Sequence, residues 1–238
     1  MTIKEELITY RDGDVTCEGL FVYDASRTGP LPAVLISHDW SGRNEFAARK
    51  ARRLAWHGYA AFALDMYGGG KQGKTVEENQ ALMGPLMADR ASLAKRITAA
   101  LTATRALPQV DAKRVAAMGF CVGGLCVMDL ARSGADVRGV VSFHGLLKPS
   151  GLPTNKIKSK ILVLHGYDDP MAPPEEVLAI AKEFTAAGAD WQLHAYGNTV
   201  HAFTNPQANN PGFGTVYKPE ADRRSWHSLI GFLEEVLR

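Results

Sequence analysis

The reactive chemistry of this chain gathers around one sulfur. Met118-Gly119-Phe120-Cys121-Val122-Gly123-Gly124 sets a cysteine between glycines two residues before and two after it. The preceding run Arg114-Val115-Ala116-Ala117 reads as a short buried strand, and Leu125 to Arg132 reads as a helix. A strand turning sharply into a helix around one reactive side chain is a nucleophile elbow, which needs glycine wherever a Cβ would strike the turn. The helix that begins at once aims free N–H groups and a positive dipole end at the sulfur, favouring the reactive thiolate over the thiol. The usual motif carries serine; this one carries cysteine.

A nucleophile needs a base, and the base needs a carboxylate to orient it. Of seven histidines, His57 and His227 fall in expected helices and His194 inside an expected strand. His38, His144 and His165 stand at strand ends and are candidates to line a site. His201 alone follows the acid on a separate glycine-bearing loop, Gly197 to Phe203, and is the expected base. The acid comes from Asp168-Asp169, neighbours whose side chains diverge so that only one reaches His201; the residues themselves leave both open. The oxyanion requires two donors. Val122, directly after the nucleophile, supplies one backbone N–H, and Trp40, on the loop after the first parallel strand, supplies the other. No pair of these histidines has zincin or zinc-finger spacing, so no metal site is expected.

These residues must be held at one end of a sheet. Glu6 to Tyr10 and Thr16 to Val22 alternate as two strands joined at Asp12-Gly13-Asp14. Ala33 to Ile36, Tyr59 to Leu64, Val137 to Phe143, Ile161 to Leu164 and Trp191 to Tyr196 read as further strands, several of them unbroken apolar runs typical of parallel sheets. Helices are expected over Arg43–His57, across Thr75–Leu107 with an interruption at Gly84-Pro85, over Pro174–Ala187 and over Asp222–Leu237. The alternation gives a single α/β domain over residues 1–238, a doubly wound and mostly parallel sheet with an N-terminal antiparallel hairpin. Ligands of such sheets bind beyond the carboxyl ends of the strands, where the residues above are placed.

Composition narrows the partners. At 238 residues and 46% hydrophobic content one large core is possible, and a net charge of +2 supports no nucleic-acid face. Three cysteines without framework spacing argue against a disulfide-built secreted domain. No apolar run reaches the ~20 residues of a membrane span, and a cytoplasmic location is the expectation.

In chain order, nucleophile, acid and histidine follow the sequence of α/β-hydrolases, and the motifs resemble one family of them, the dienelactone hydrolases. Gly119-Phe120-Cys121-Val122-Gly123-Gly124 resembles that family's G-x-C-x-G-G elbow, and His38-Asp39-Trp40-Ser41-Gly42-Arg43-Asn44 its [QH]-E-x-x-G-x-N loop. Asp65-Met66-Tyr67 is similar to its D-[LM]-Y, Gly166-Tyr167-Asp168 to its G-x-D, and His201-Ala202-Phe203 to its H-x-F. The resemblance runs from about Ala33 to the end of the chain. It implies a Cys121–His201–Asp168 triad, an oxyanion hole at Trp40 and Val122, and cofactor-free opening of small lactones or esters through an acyl-cysteine. Asp39 stands where the family has a glutamate that holds the resting thiol, one methylene shorter, in a gating or substrate-contact position. Asn205 replaces a substrate-binding arginine, leaving Arg90 as another source of positive charge. Tyr67 and Phe203, with Met83 and Met87, are candidate pocket walls. Two other uses of the fold are a thiol redox pair of Cys121 with Cys126, which five-residue spacing on one helix disfavours, and a non-catalytic binding module.

Overall fold

The computed structural model describes residues 1–152 and 155–238. The chain opens with a hairpin of β1 (Ile3–Asp12) and β2 (Val15–Asp24), paired antiparallel through ten residue pairs around Gly13. Both strands run past the limits set by their apolar alternation, because ladder pairing carries the polar ends as well. Then follow β3 (Leu31–Ser37), α1 (Glu45–Trp56), β4 (Ala60–Ala63), α2 (Val76–Ala88), α3 (Arg90–Arg105) and β5 (Val110–Phe120). The second half holds α4 (Val122–Arg132), β6 (Gly139–Phe143), β7 (Lys160–Gly166), α5 (Pro174–Ala186) and β8 (Trp191–Tyr196). A two-residue ribbon, β9 (Asn209–Asn210) and β10 (Thr215–Val216), encloses a 3-10 turn at Pro211–Phe213, and α6 (Pro219–Val236) ends the fold.

The main sheet has the order β1-β2-β4-β3-β5-β6-β7-β8. From β4 to β8 every pairing is parallel, and the hairpin joins antiparallel at β2–β4. On one face, Phe46 and Leu54 of α1 and Trp226, Leu229 and Phe232 of α6 cover Ile36, Phe120 and Leu164. On the other, Leu93 and Ile97 of α3, Leu125 and Leu130 of α4 and Phe184 of α5 cover Leu35, Phe62 and Val163. Burial on both faces explains the unbroken apolar runs of the central strands.

Capping moves helix boundaries away from the sequence reading at two places. The helical stretch after residue 75 does not break at Gly84-Pro85; α2 carries Pro85 inside it and ends at Ala88, with Asp89 as its C-cap. Asp89 leaves helical geometry (φ −124, ψ 83), and its carboxylate caps Ser92 N–H of α3 at 3.0 Å. A side chain able to satisfy orphan donors sets the break there, whereas proline removes only one bond. Similarly, α6 begins at Pro219, not Asp222, since proline suits the first helical position.

Buried ion pairs tie the helices on the second face. Arg90 donates to both Asp129 oxygens at 2.7 and 2.8 Å, and Arg132 to both Glu183 oxygens at 2.7 and 2.8 Å. Arg90 is thereby committed between α3 and α4. Among the described residues no helix is long and apolar enough to cross a membrane.

Candidate active site

At the end of β5 the backbone of Cys121 takes φ 55, ψ −121, a strained conformation for a residue with a Cβ. The surrounding chain enforces it. Cys121 N–H donates to Phe143 O at 3.1 Å, and its carbonyl accepts from Gly124 at 3.0 Å and Leu146 at 3.3 Å. A Cβ at Gly119 would overlap the Gly123 carbonyl, and one at Gly123 would overlap the carbonyls of Ser37 and His38. The elbow glycines therefore permit β5, α4 and the β3 loop to meet.

His201 is brought to this point by an element with no strong sequence signal. Its N–H donates to Gly214 O at 3.0 Å, and its carbonyl accepts from Val216 N–H at 3.2 Å, so the β9–β10 ribbon clamps the loop. The ring is buried, with Nδ1 2.7 Å from Asp169 Oδ2. Burial alone would depress the imidazolium, but the neighbouring Cys121 sulfur and the Asp169 carboxylate outweigh it and raise the pKa to about 10. The sulfur lies near enough to act on the ring's charge, although no aligned hydrogen bond is made at Nε2 among the described residues.

The aspartate on His201 is Asp169, a correction to the Asp168 expected from the G-x-D motif. Asp169 is 2% exposed and its other oxygen accepts Met171 N–H at 2.8 Å. Asp168 is exposed and turns to Thr199 instead, accepting its N–H on Oδ2 at 3.0 Å and donating its own N–H to Thr199 O at 3.0 Å. Adjacent residues on an extended turn send their side chains to opposite sides, and the carboxylate that meets His201 stands one position later than the motif implied.

Val122 N–H is the first of α4, and Trp40 N–H lies on the loop beyond β3; neither is taken by an acceptor among the described residues. Trp40 is held at its carbonyl by the Tyr67 hydroxyl at 2.8 Å, and its ring stacks on Phe213 at 5.8 Å. Tyr67 thus fastens the Trp40 loop instead of forming the cavity wall expected of it. Phe203 is also corrected: it is fully buried, edge-on to His144 at 5.1 Å and near Tyr196, behind the site. Met83 borders the cavity, while Met87 packs on the core. Asp65 organises the loop that runs through Gly68-Gly69-Gly70, one oxygen accepting N–H from Tyr67 and Gly68, each at 2.9 Å, the other from Gly70 at 2.8 Å.

The remaining histidines separate by their partners. His144, at φ 37, borders the cavity, pairs through Nε2 with Thr204 Oγ1 at 2.8 Å, and lies edge-on to His201 at 5.1 Å. Burial, reinforced by the charges of His201 and Lys50, holds it well below the ordinary imidazole range. His38 is spanned by Asp39 O at 2.6 Å and Met66 N–H at 3.1 Å, an arrangement of one donor and one acceptor that fits the neutral ring. His165 is buried, and neither of its nitrogens has a partner among the described residues.

Cys121, His201, Asp39, Trp40, Met83 and Phe213 border one cavity of about 590 Å³. Asp39 presents a carboxylate whose Oδ1 accepts Ser41 N–H at 2.9 Å and the Ser41 hydroxyl. Cys126 is free and fully enclosed, its thiol pushed up to about 12 by burial and then by Asp129, which makes it a poor redox partner for Cys121.

A mostly parallel sheet with an elbow after its central strand and a histidine loop after its last is the architecture of the α/β-hydrolases. An alpha/beta hydrolase enzyme from a Medee basin deep-sea metagenome shares that fold at 18% identity, with a TM-score of 0.67 over 98% of each chain. Within that class, the sequence profile of the dienelactone hydrolase family matches residues 19–237, and the chain belongs to that family. A dienelactone hydrolase-like promiscuous phosphotriesterase from metagenomic libraries is similar throughout, at 37% identity, TM-score 0.93 and full coverage of both chains. A putative carboxymethylenebutenolidase of Aquifex aeolicus is 27% identical across 98% of this chain and 99% of its own.

Proposed function

We propose that the protein is a cofactor-independent hydrolase that cleaves small lactones or carboxylic esters through an acyl-cysteine. The observation that carries this reading is Cys121, held at positive φ at the head of α4 beside a buried His201 that is anchored by Asp169. In this mechanism the Cys121 thiolate attacks the carbonyl carbon, and the oxyanion is met by the N–H groups of Trp40 and Val122. As the C–O bond breaks, the His201 imidazolium gives its proton to the departing alkoxide. In a lactone that alkoxide stays attached to the acyl group. His201 then takes a proton from water, the hydroxide adds to the acyl carbon, and the C–S bond breaks to release the carboxylic acid and the thiolate.

The charge on His201 fits both half-reactions. While the sulfur is free, it and Asp169 keep the ring protonated against its burial. Acylation removes the sulfur's charge, and the ring shifts down toward values at which it can accept a proton from water. Asp39 is close enough to the same cavity to touch substrate, and its fixed Oδ1 leaves the second oxygen for that contact.

The test is turnover of γ-butyrolactone and 4-nitrophenyl acetate by the wild type and by Cys121→Ala, with mass spectrometry of the acyl adduct after brief exposure. Loss of turnover and an adduct on Cys121 support the reading; unchanged turnover overturns it. The full-length similarity to a promiscuous phosphotriesterase supports a second substrate class, a 4-nitrophenyl dialkyl phosphate, attacked by the same thiolate at phosphorus. The Cys121→Ala comparison on that triester decides it.

A further inference from the structure

The catalytic cavity carries charges that the reaction itself does not use. Glu176, in the first turn of α5, borders it, and so does Lys148 on the chain after β6. The Glu176 Oε2 is buried and has no hydrogen-bond partner among the described residues, and neither Glu176 nor Lys148 forms an ion pair there. A buried carboxylate oxygen without a donor is costly and seldom retained without a use.

An acidic residue in the first turn of a helix ordinarily answers the helix dipole. Glu175 in the same turn is exposed and can serve that purpose in water. Glu176 differs because it is only half-exposed and stands at the wall of a 590 Å³ cavity. The terminal torsion of a glutamate is soft, so either oxygen can turn to meet a ligand.

The balance of charge around the cavity disfavours an anionic substrate. Outside the Cys121–His201 pair, whose opposite charges offset each other, Asp39 and Glu176 are both on its wall, against the single exposed ammonium of Lys148. The fork of an arginine, the usual holder of a carboxylate, is not on that wall: Arg90 is closed on Asp129 and Asn205 presents an amide. Of the two acids, Asp39 has one oxygen fixed by Ser41, whereas neither carboxylate oxygen of Glu176 has a donor among the described residues.

We propose that Glu176 is a specificity determinant, accepting a hydrogen bond from a hydroxyl or ammonium group on the lactone or ester so that donor-bearing substrates are preferred to carboxylate-bearing ones. This rests on the hydrolase reading above and names the substrate class of the same site. Glu176 acts in ground-state binding, so its contribution is expected in KM more than in kcat.

The experiment compares four lactones that share one ring: γ-butyrolactone, its α-hydroxy and α-amino derivatives, and the γ-carboxylate. Wild type should favour one or both donor lactones over the parent by about tenfold in kcat/KM, and take the carboxylate less well than the parent. Glu176→Ala should remove the donor advantage, mainly through KM. Glu176→Gln separates the two donors, since an amide oxygen still accepts from a hydroxyl but offers no charge to an ammonium. Donor lactones no better than the parent, a preference for the carboxylate, or an advantage that survives Glu176→Ala would each overturn the proposal. Absence of turnover on every lactone and on 4-nitrophenyl acetate would instead sink the hydrolase reading. Calorimetric titration of the four into Cys121→Ala then reads the preference without chemistry: tighter binding of a donor lactone upholds the role of Glu176, and equal binding removes it.

Discussion

His201 Nδ1 lies 2.7 Å from Oδ2 of Asp169, while Asp168, one residue earlier, is spent on the backbone of Thr199. Two adjacent aspartates thus have separable duties. Asp169→Asn preserves the shape but presents an amide where an acceptor is needed, favouring the wrong imidazole tautomer. kcat on 4-nitrophenyl acetate should fall by about 10³–10⁴. Asp168→Asn keeps an oxygen for Thr199 and should cost less than about tenfold. The opposite ranking of the two variants would move the acid to Asp168.

The raised pKa of His201 makes a prediction about pH. Burial lowers it, and the Cys121 sulfur and Asp169 more than reverse that, to about 10 from an ordinary value of 6.5. The folded chain therefore holds this proton more tightly than the unfolded chain. The ring's contribution to stability is complete below 6.5 and is lost as pH climbs toward about 10. Removing the sulfur in Cys121→Ala should lower the ring's pKa, read from imidazole ¹⁵N shifts. It should also flatten the alkaline decline in the urea midpoint. A ring that titrates at the same pH in both proteins would show that the sulfur does not act on it.

Much of this was legible in the residues, and the exceptions have physical causes. Glycine spacing announced the elbow because only glycine fits where a Cβ would strike a carbonyl, a constraint that acts locally and so marks the sequence. Parallel strands declared themselves through burial on both faces. The choice between Asp168 and Asp169 was hidden because it depends on the twist of one turn against a loop thirty residues away. The β9–β10 ribbon escaped because its strands are too short for a period, although Gly214, in left-handed geometry (φ 70) against Pro170, was a turn signal. Their motifs mark Tyr67 and Phe203 as pocket walls, but neither borders the cavity, because a motif does not say which way a ring faces.

Gly123 offers a direct test of the elbow's packing. Its missing Cβ would stand against the Ser37 and His38 carbonyls, backbone atoms that have no rotamer to escape into. Gly123→Ala should therefore destabilise the fold by about 3 kcal/mol or more, or prevent soluble accumulation. Gly231, on α6 with open space around its missing Cβ, is the matched control, and Gly231→Ala should be neutral or slightly stabilising. Similar urea midpoints for the two variants would contradict the crowding at the elbow.

Lys50 lies deeper, under the histidine loop. Its Nζ is 3.3 Å from Thr204 O and 3.4 Å from Asp222 Oδ1, with the rings of Phe46, Phe120 and Trp226 at 5.0, 5.5 and 5.7 Å. Burial pushes its pKa down, and Asp222 opposes that shift. Thr204 in turn holds His144, which lies edge-on to His201, so the ammonium braces the loop that carries His201. Lys50→Met keeps the volume but removes the donor, and Asp222, partly open to solvent, can rehydrate. The loss of stability should accordingly be modest, about 1–3 kcal/mol. Because the brace acts through Thr204 and His144 rather than on substrate, kcat should drop several-fold while the pKa of His201 stays near its original value. An unaltered urea midpoint would mean that the three rings and the remaining packing hold the loop without the ammonium.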